Sequence, residues 1–270
     1  MLKSKRDYNF NLRCQMDLKY FKLESSGNNF ILLDFINTEI YQFDKISNFI
    51  FKEKAVKSSD GLLVINNSQS CDFDLNFYNP DSSPSFCGNG SVCAVKYMTS
   101  INLKKEYNFL SNGLHCKAQV NKSDIAIKIP KINKYREFIN GFLINTGTLH
   151  YVEFSKSLHD SFFNKRVLEL TSSKEFLKAP FNINIVKKEN DHIQVRTFEK
   201  GVNRETQSCG SGSIASILAV FLAFEKKYSL VKARGGNLNV DFHFNNKFFE
   251  KIRLISNPTI IYSGNLSIEV

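Results

Sequence analysis

Two short stretches hold the residues best placed for chemistry. "PSFCGNGSVCAVKYM" (residues 84–98) and "QSCGSGSIASILAVF" (residues 207–221) each put a cysteine, Cys87 or Cys209, before a Gly-x-Gly turn and an apolar periodic run. That grammar predicts a helix with the cysteine at its mouth. A helix N-terminus presents unpaired N–H groups and a partial positive charge, so it stabilises anions. A thiol held there is expected to move from about 8.5 into the range of roughly 3.5 to 7.5. The glycines are expected to leave backbone amides uncovered for a bound group. One such turn suits a nucleophile. Two facing turns suit proton transfer: a carboxylate held by both helix ends would have its Cα between the sulfurs, with one taking the proton and the other returning one to the opposite face. The oriented amides would stabilise the enolate charge as it develops. The chemistry so read is that of a racemase or epimerase working without a cofactor.

The elements that must position these turns repeat. Cys, Gly, Gly and Ser match in place between "CGNGSVCAV" and "CGSGSIASI", 122 residues apart. That spacing is too long for a solenoid and suits a duplicated, two-half architecture. Strand-like segments precede and follow each turn: "NNFILLDF", "DGLLVI" and "CDFDLNFYN" before Cys87, and the hairpin "FNINIVKKENDHIQVRTFEKG" before Cys209. The expected fold is α+β, two pseudo-symmetric halves, each a mainly antiparallel sheet or barrel around a central helix, with the site in the cleft between them. The boundaries are 1–15 as an N-terminal extension, 16–130 as the first half, with 260–270 as a strand able to complete it, and 131–259 as the second half. The polar stretch 155–180 is expected to hold one short helix.

Composition narrows the class. With 270 residues, 42% hydrophobic and 23% charged, the chain has the profile of a soluble globular protein. No apolar run reaches the roughly 18 residues that span a bilayer, and the first 20 residues lack a secretory pattern, so no membrane partner and a cytoplasmic setting are expected. The net charge of +10 invites a nucleic-acid reading. The basic residues are scattered among many Asn, Ile and Phe and follow no recognition motif, so no nucleic acid is expected. The six cysteines include no CxxC pair and no nearby histidine beside Cys87 or Cys209, which gives a metal site no support. Cys71, Cys93 and Cys116 read as small core residues and Cys14 as part of the extension.

From Met16 onward the chain resembles the diaminopimelate epimerase family. The ordered set "SGNNF", "FYNPDSSPSFCGNG", "NTGTLHYVEF", "FNINIV", "VRTFEKGVNRETQSCGSG" and "GGNLNV" carries the resemblance. It implies conversion of LL-2,6-diaminopimelate to the meso form in lysine biosynthesis, with no pyridoxal phosphate or other cofactor and no metal, on a small amino-acid substrate, and is compatible with a homodimer. By the same resemblance Cys87 and Cys209 are the acid–base thiols, with His150 and Glu199 beside them. Gly88, Asn89, Gly210 and Ser211 would offer amides to the reacting carboxylate, and Asn28, Asn79 and Asn182 would meet substrate polar groups. Glu199 would also face a substrate ammonium. From spacing alone, His150 reads instead as a strand residue, Asn28 as a turn residue and Glu199 as a solvated hairpin charge. Lys200 stands where the family has an arginine clamp on a distal carboxylate, and a point charge replaces a bidentate fork. Thr148 and Leu149 replace an Asn-Pro pair. These departures keep two alternatives open: a racemase of another amino acid, of histidine or proline type, and a binding-only relative.

Overall fold

The computed structural model describes residues 15–36, 47 and 49–269. The extension expected at 1–15 lies outside them except for Gln15, which already belongs to the first strand; Cys14 also lies outside.

The first run of elements is β1 (Gln15–Ser25), β2 (Asn28–Asp34), α1 (Lys54–Lys57), β3 (Gly61–Asn66), β4 (Phe73–Tyr78), α2 (Gly88–Ile101), β5 (Glu106–Ser111), β6 (Leu114–Asn121) and β7 (Asp124–Ile129). The second is β8 (Tyr135–Phe138), β9 (Gly141–Asn145), β10 (Leu149–Phe154), α3 (Asp160–Thr171), α4 (Lys174–Lys178), β11 (Asn182–Lys188), β12 (His192–Glu199), β13 (Arg204–Thr206), α5 (Gly210–Phe224), β14 (Leu230–Ala233), β15 (Gly236–Phe244) and β16 (Phe249–Ser256). The strand β17 (Thr259–Glu269) follows.

The two runs pair in the same order. β1 and β2 are antiparallel, β2 and β3 parallel, β3 and β4 antiparallel, β4 and β5 parallel, then β5, β6 and β7 antiparallel. β9 and β10, β10 and β11, β11 and β12, β12 and β14, then β14, β15 and β16 repeat that sequence of senses. Parallel neighbours need a crossover, usually a helix; α2 is the crossover from β4 to β5, and α5 the one from β12 to β14. The internal repeat is therefore one of topology as well as of a short string. β8 lies antiparallel on β9, and β17 lies antiparallel on β1, so the last strand fills in the first half the place that β8 has in the second. β7 and β16 join the halves, with Ile127 opposite Leu254.

Burial follows from the pattern. Alternation along β7, "DIAIKI", puts Ile125, Ile127 and Ile129 inside. The helix α5 is apolar almost all round and buries Ile214, Ile217, Leu218 and Val220, as a central helix must. The strands of both halves form one continuous 17-stranded sheet, and buried apolar side chains from both central helices and both halves merge into one cluster. The stretch 155–180 holds two helices rather than one. α3 buries Phe163 and Leu170, with Val167 between them partly buried against the same cluster, a short apolar stripe in an otherwise polar stretch. No helix among the described residues is long and apolar enough to cross a membrane.

Candidate active site

The two cysteines occupy matching positions in matching backbones. Cys87 is the N-cap of α2, with φ −130° and ψ 114°, and Cys209 is the N-cap of α5, with φ −138° and ψ 112°. An extended cap followed at once by helix leaves the first-turn amides free of intrahelical partners. At Cys87 the sulfur takes up one of them, accepting from the Gly90 N–H at 3.3 Å. The helix mouths abut. Asn89 Nδ2 donates to Asn28 Oδ1 at 2.7 Å and to Ser208 Oγ at 2.9 Å, and Ser208 Oγ donates to Asn28 Oδ1 at 3.0 Å. All three residues are buried. Asn28, at the start of β2, thus ties the turn of Cys87 to the residue before Cys209.

The first glycine of each turn packs against one shared side chain. A Cβ on Gly88 would stand 2.8 Å from Leu254 Cδ2, and one on Gly210 would stand 2.7 Å from the same atom. Neither residue has a positive φ. Leu254, on the seam strand β16, therefore supports both mouths, and the room opened by these glycines is filled by its side chain rather than kept for a ligand.

Polar groups gather around Cys209. The Glu199 carboxylate, at the end of β12, accepts from Thr206 Oγ1 at 2.7 Å and lies close enough to Cys209 for its charge to act on the thiol. Ser211 Oγ lies 3.4 Å from Cys209 Sγ and 3.0 Å from His150 Nε2. His150 is fully buried on β10, directly across from Asn182 on β11. Its Nε2 also lies 3.0 Å from Thr148 Oγ1, and its Nδ1 3.0 Å from Asn184 Nδ2. His150 therefore stands on a strand, and its ring lies two hydrogen bonds from a thiol. That thiol is Cys209, reached through Ser211; among the described residues no hydrogen bond joins His150 to Cys87.

Charge in the site differs from the expectation of activated thiolates. Burial pushes the Cys87 thiol up to about 12, with the Gly90 amide opposing and Glu199 adding to the rise. Burial raises Cys209 as well, with Glu199 adding and Ser211 opposing. The helix terminus loses because its charge is worth at most about 2 kcal/mol, whereas full desolvation moves a group by up to roughly 3–5 pK units. Burial also raises the Glu199 carboxyl against the bond from Thr206, which replaces the solvated charge read from spacing. Burial, followed by the nearby Lys200 charge, lowers His150 to about 3, so the imidazole is neutral.

The remaining expected residues lie at different places. Asn182 Oδ1 accepts from the Lys200 N–H at 3.1 Å, and its Nδ2 lies 3.4 Å from Thr148 Oγ1. Lys200 Nζ donates to the Pro180 carbonyl at 2.9 Å. Asn79 Nδ2 donates to Ser83 O, Ser83 Oγ and Ser85 Oγ at 3.0–3.1 Å, bracing the exposed loop that enters Cys87; these bonds are local and reach none of the other site residues. Cys93 and Cys116 are buried as expected, whereas Cys71 is half-exposed, 3.9 Å from His115 Nδ1. Ser208, Asn184 and Leu254 were not singled out by sequence reasoning. Asn184 had a signal, standing two residues beyond Asn182 on the same strand face; Leu254, remote in sequence, had none. Among the described residues no three His, Cys, Asp or Glu side chains are grouped to hold a metal ion.

No family model matches the chain. A diaminopimelate epimerase from Flavobacterium psychrophilum is 29% identical over 248 residues, 88% of this chain and 95% of that one. Another, from Campylobacter jejuni subsp. jejuni, is 30% identical over 243 residues, 86% and 94% of the two chains. Among solved structures, a hydroxyproline epimerase from Agrobacterium vitis superposes with a TM-score of 0.66 over 96% of this chain and 95% of that one at 10% identity; that likeness concerns the fold. Paired cysteine-capped helices on a duplicated scaffold, together with sequence relatives that span nearly their whole length, lead to one assignment: the chain belongs to the diaminopimelate epimerase family.

Proposed function

We propose that the protein interconverts LL- and meso-2,6-diaminopimelate by moving a proton across one Cα, without pyridoxal phosphate, as an isomerase of lysine biosynthesis. The observation that carries the reading is the pair of cysteines, in the same N-cap conformation, on two helix mouths tied together by Asn28, Asn89 and Ser208. The amides of Gly88, Asn89, Gly210 and Ser211 receive the substrate carboxylate, where enolate charge develops. Cys209 passes its proton to Glu199, the carboxylate whose charge acts on it. The thiolate removes the Cα proton on one face, and the Cys87 thiol supplies one on the other; the return reaction exchanges these roles. The raised thiol values mean that substrate enters a resting thiol pair. Asn79, Asn182 and Lys200 serve the distal end. Lys200 does so by leaving the Pro180 carbonyl it now holds. All the cysteines among the described residues are free, which suits a reducing cytoplasm.

The test is Cα deuterium incorporation in D2O, under reducing conditions and without pyridoxal phosphate, from LL-diaminopimelate, L-histidine and L-proline in separate reactions. Exchange into diaminopimelate alone is expected. Exchange into histidine or proline alone would assign a racemase of the same fold, and exchange into none would leave a binding protein.

A further inference from the structure

The polar groups of the site are distributed unevenly. The Glu199 charge acts on both sulfurs, but the His150–Ser211 contacts run to Cys209, and among the described residues Cys87 Sγ accepts from backbone amides. The direction of the contacts near Cys209 can be fixed atom by atom. Asn184 Nδ2 donates to the Tyr151 carbonyl at 3.1 Å, and Asn184 Oδ1 accepts from Thr197 Oγ1 at 2.9 Å, so the amide has one orientation. Its Nδ2, 3.0 Å from His150 Nδ1, makes that ring nitrogen an acceptor. The proton of the neutral imidazole therefore sits on Nε2. From there it is shared between Ser211 Oγ and Thr148 Oγ1, each 3.0 Å away, with Asn182 Nδ2 more distant at 3.4 Å; of the two hydroxyls, Ser211 is the one that reaches on to a sulfur. A serine oxygen that accepts from His150 has its own hydrogen free, and Cys209 Sγ is 3.4 Å away.

We propose that Ser211 Oγ relays a one-way chain of hydrogen bonds, Asn184 to His150 to Ser211 to Cys209, that stabilises the Cys209 thiolate during turnover and leaves Cys87 untouched. Ser211 is then a further residue of the proton-transfer machinery, acting through its hydroxyl in addition to its backbone amide. His150 is a positioning residue: held neutral with Nδ1 occupied, it donates throughout and takes no proton from either sulfur. Glu199 and the relay have complementary duties. The carboxylate receives the Cys209 proton, and the relay holds the sulfur that is left. The charged or titratable groups facing Cys209 are Glu199 from β12 and the Cys87 thiol from the other mouth, and Lys200 faces His150.

The relay rests on the proposed role of Cys209 in proton transfer, but its test needs no substrate. The measurement is the pH dependence of iodoacetamide alkylation at each cysteine, read peptide by peptide by mass spectrometry, for the wild type, Ser211→Ala, Ser211→Thr and His150→Gln. Loss of one hydrogen bond to a charged acceptor corresponds to a change on the order of tenfold to a hundredfold. Ser211→Ala should slow Cys209 alkylation at neutral pH by about that factor and move its midpoint upward, while Cys87 keeps its wild-type profile. Ser211→Thr, which keeps a hydroxyl, should restore Cys209, and His150→Gln should shift it in the same direction as Ser211→Ala but less. An unchanged Cys209 profile in Ser211→Ala, or an equal shift of both cysteines, would overturn the relay, whatever substrate the protein turns over.

Discussion

Buried histidine and buried thiols set opposite limits on the pH range of the protein. The unfolded His150 takes a proton near 6.5, and the native one only near 3. Between those values the unfolded chain binds more protons, so stability is present above pH 6.5 and is lost as pH falls toward 3. Chemical denaturation of the wild type should show that loss, on the order of a few kcal/mol, and His150→Gln should flatten it. The thiols act in reverse. Cys87 is raised to about 12 and Cys209 is raised with it, so an unfolded chain loses these protons first and stability present below about pH 8.5 falls as pH rises toward 12. Thermal melts between pH 8 and 10.5 should record the fall, and a Cys87→Ala, Cys209→Ala double variant should reduce its slope. The cysteines themselves were legible in the sequence, because a thiol before Gly-x-Gly and an apolar run has few structural uses. Their protonation was not. It is decided by burial under strands distant in sequence, and the local rule for helix N-termini points the wrong way.

At the scale of elements, the second glycine of each turn governs how the helix meets its neighbours. A Cβ on Gly212 would collide with Asn184 Oδ1, the acceptor that fixes the amide against Thr197. Gly212→Ala should therefore cost roughly 1–3 kcal/mol in stability and, by displacing Asn184 and with it His150, lower kcat by at least tenfold with a smaller change in KM. The equivalent Gly90→Ala meets the flexible end of Leu63 at 2.9 Å and should be milder on both counts. Steady-state kinetics and denaturant melts on the two variants check the ranking. The helices α2 and α5 could be read because cap, glycine and apolar periodicity coincide. The stretch holding α3 was read only as one short helix without bounds, since its Phe163, Val167 and Leu170 stripe lies among polar residues and part of its docking is remote: the Arg196 guanidinium packs on Phe163 and pairs with Asp160 at 2.8 Å and Glu205 at 2.6 Å. Such long-range pairing leaves no trace in local pattern.

Across the whole molecule, the duplicated topology does what a single half cannot. It brings two helix mouths to one seam and rests them on one side chain. Leu254→Ala should destabilise the fold by about 2–5 kcal/mol and depress turnover beyond what the lost stability explains, because both mouths lose their common support; activity measured well below the melting temperature separates the two effects. The 122-residue echo made the halves legible. The return of β17 to β1 and the joining of β7 to β16 were less so, since pairing between distant strands carries no periodicity of its own. The claim on which the account depends is that Cys87 and Cys209 work on opposite faces of one Cα. Its most direct test follows LL-diaminopimelate in D2O through the first few per cent of turnover by the wild type, Cys87→Ala and Cys209→Ala. Meso product carrying deuterium at the inverted Cα, LL substrate still largely protonated there, and no turnover by either variant are expected. Product that retains the substrate hydrogen, or full turnover by either variant, would contradict it.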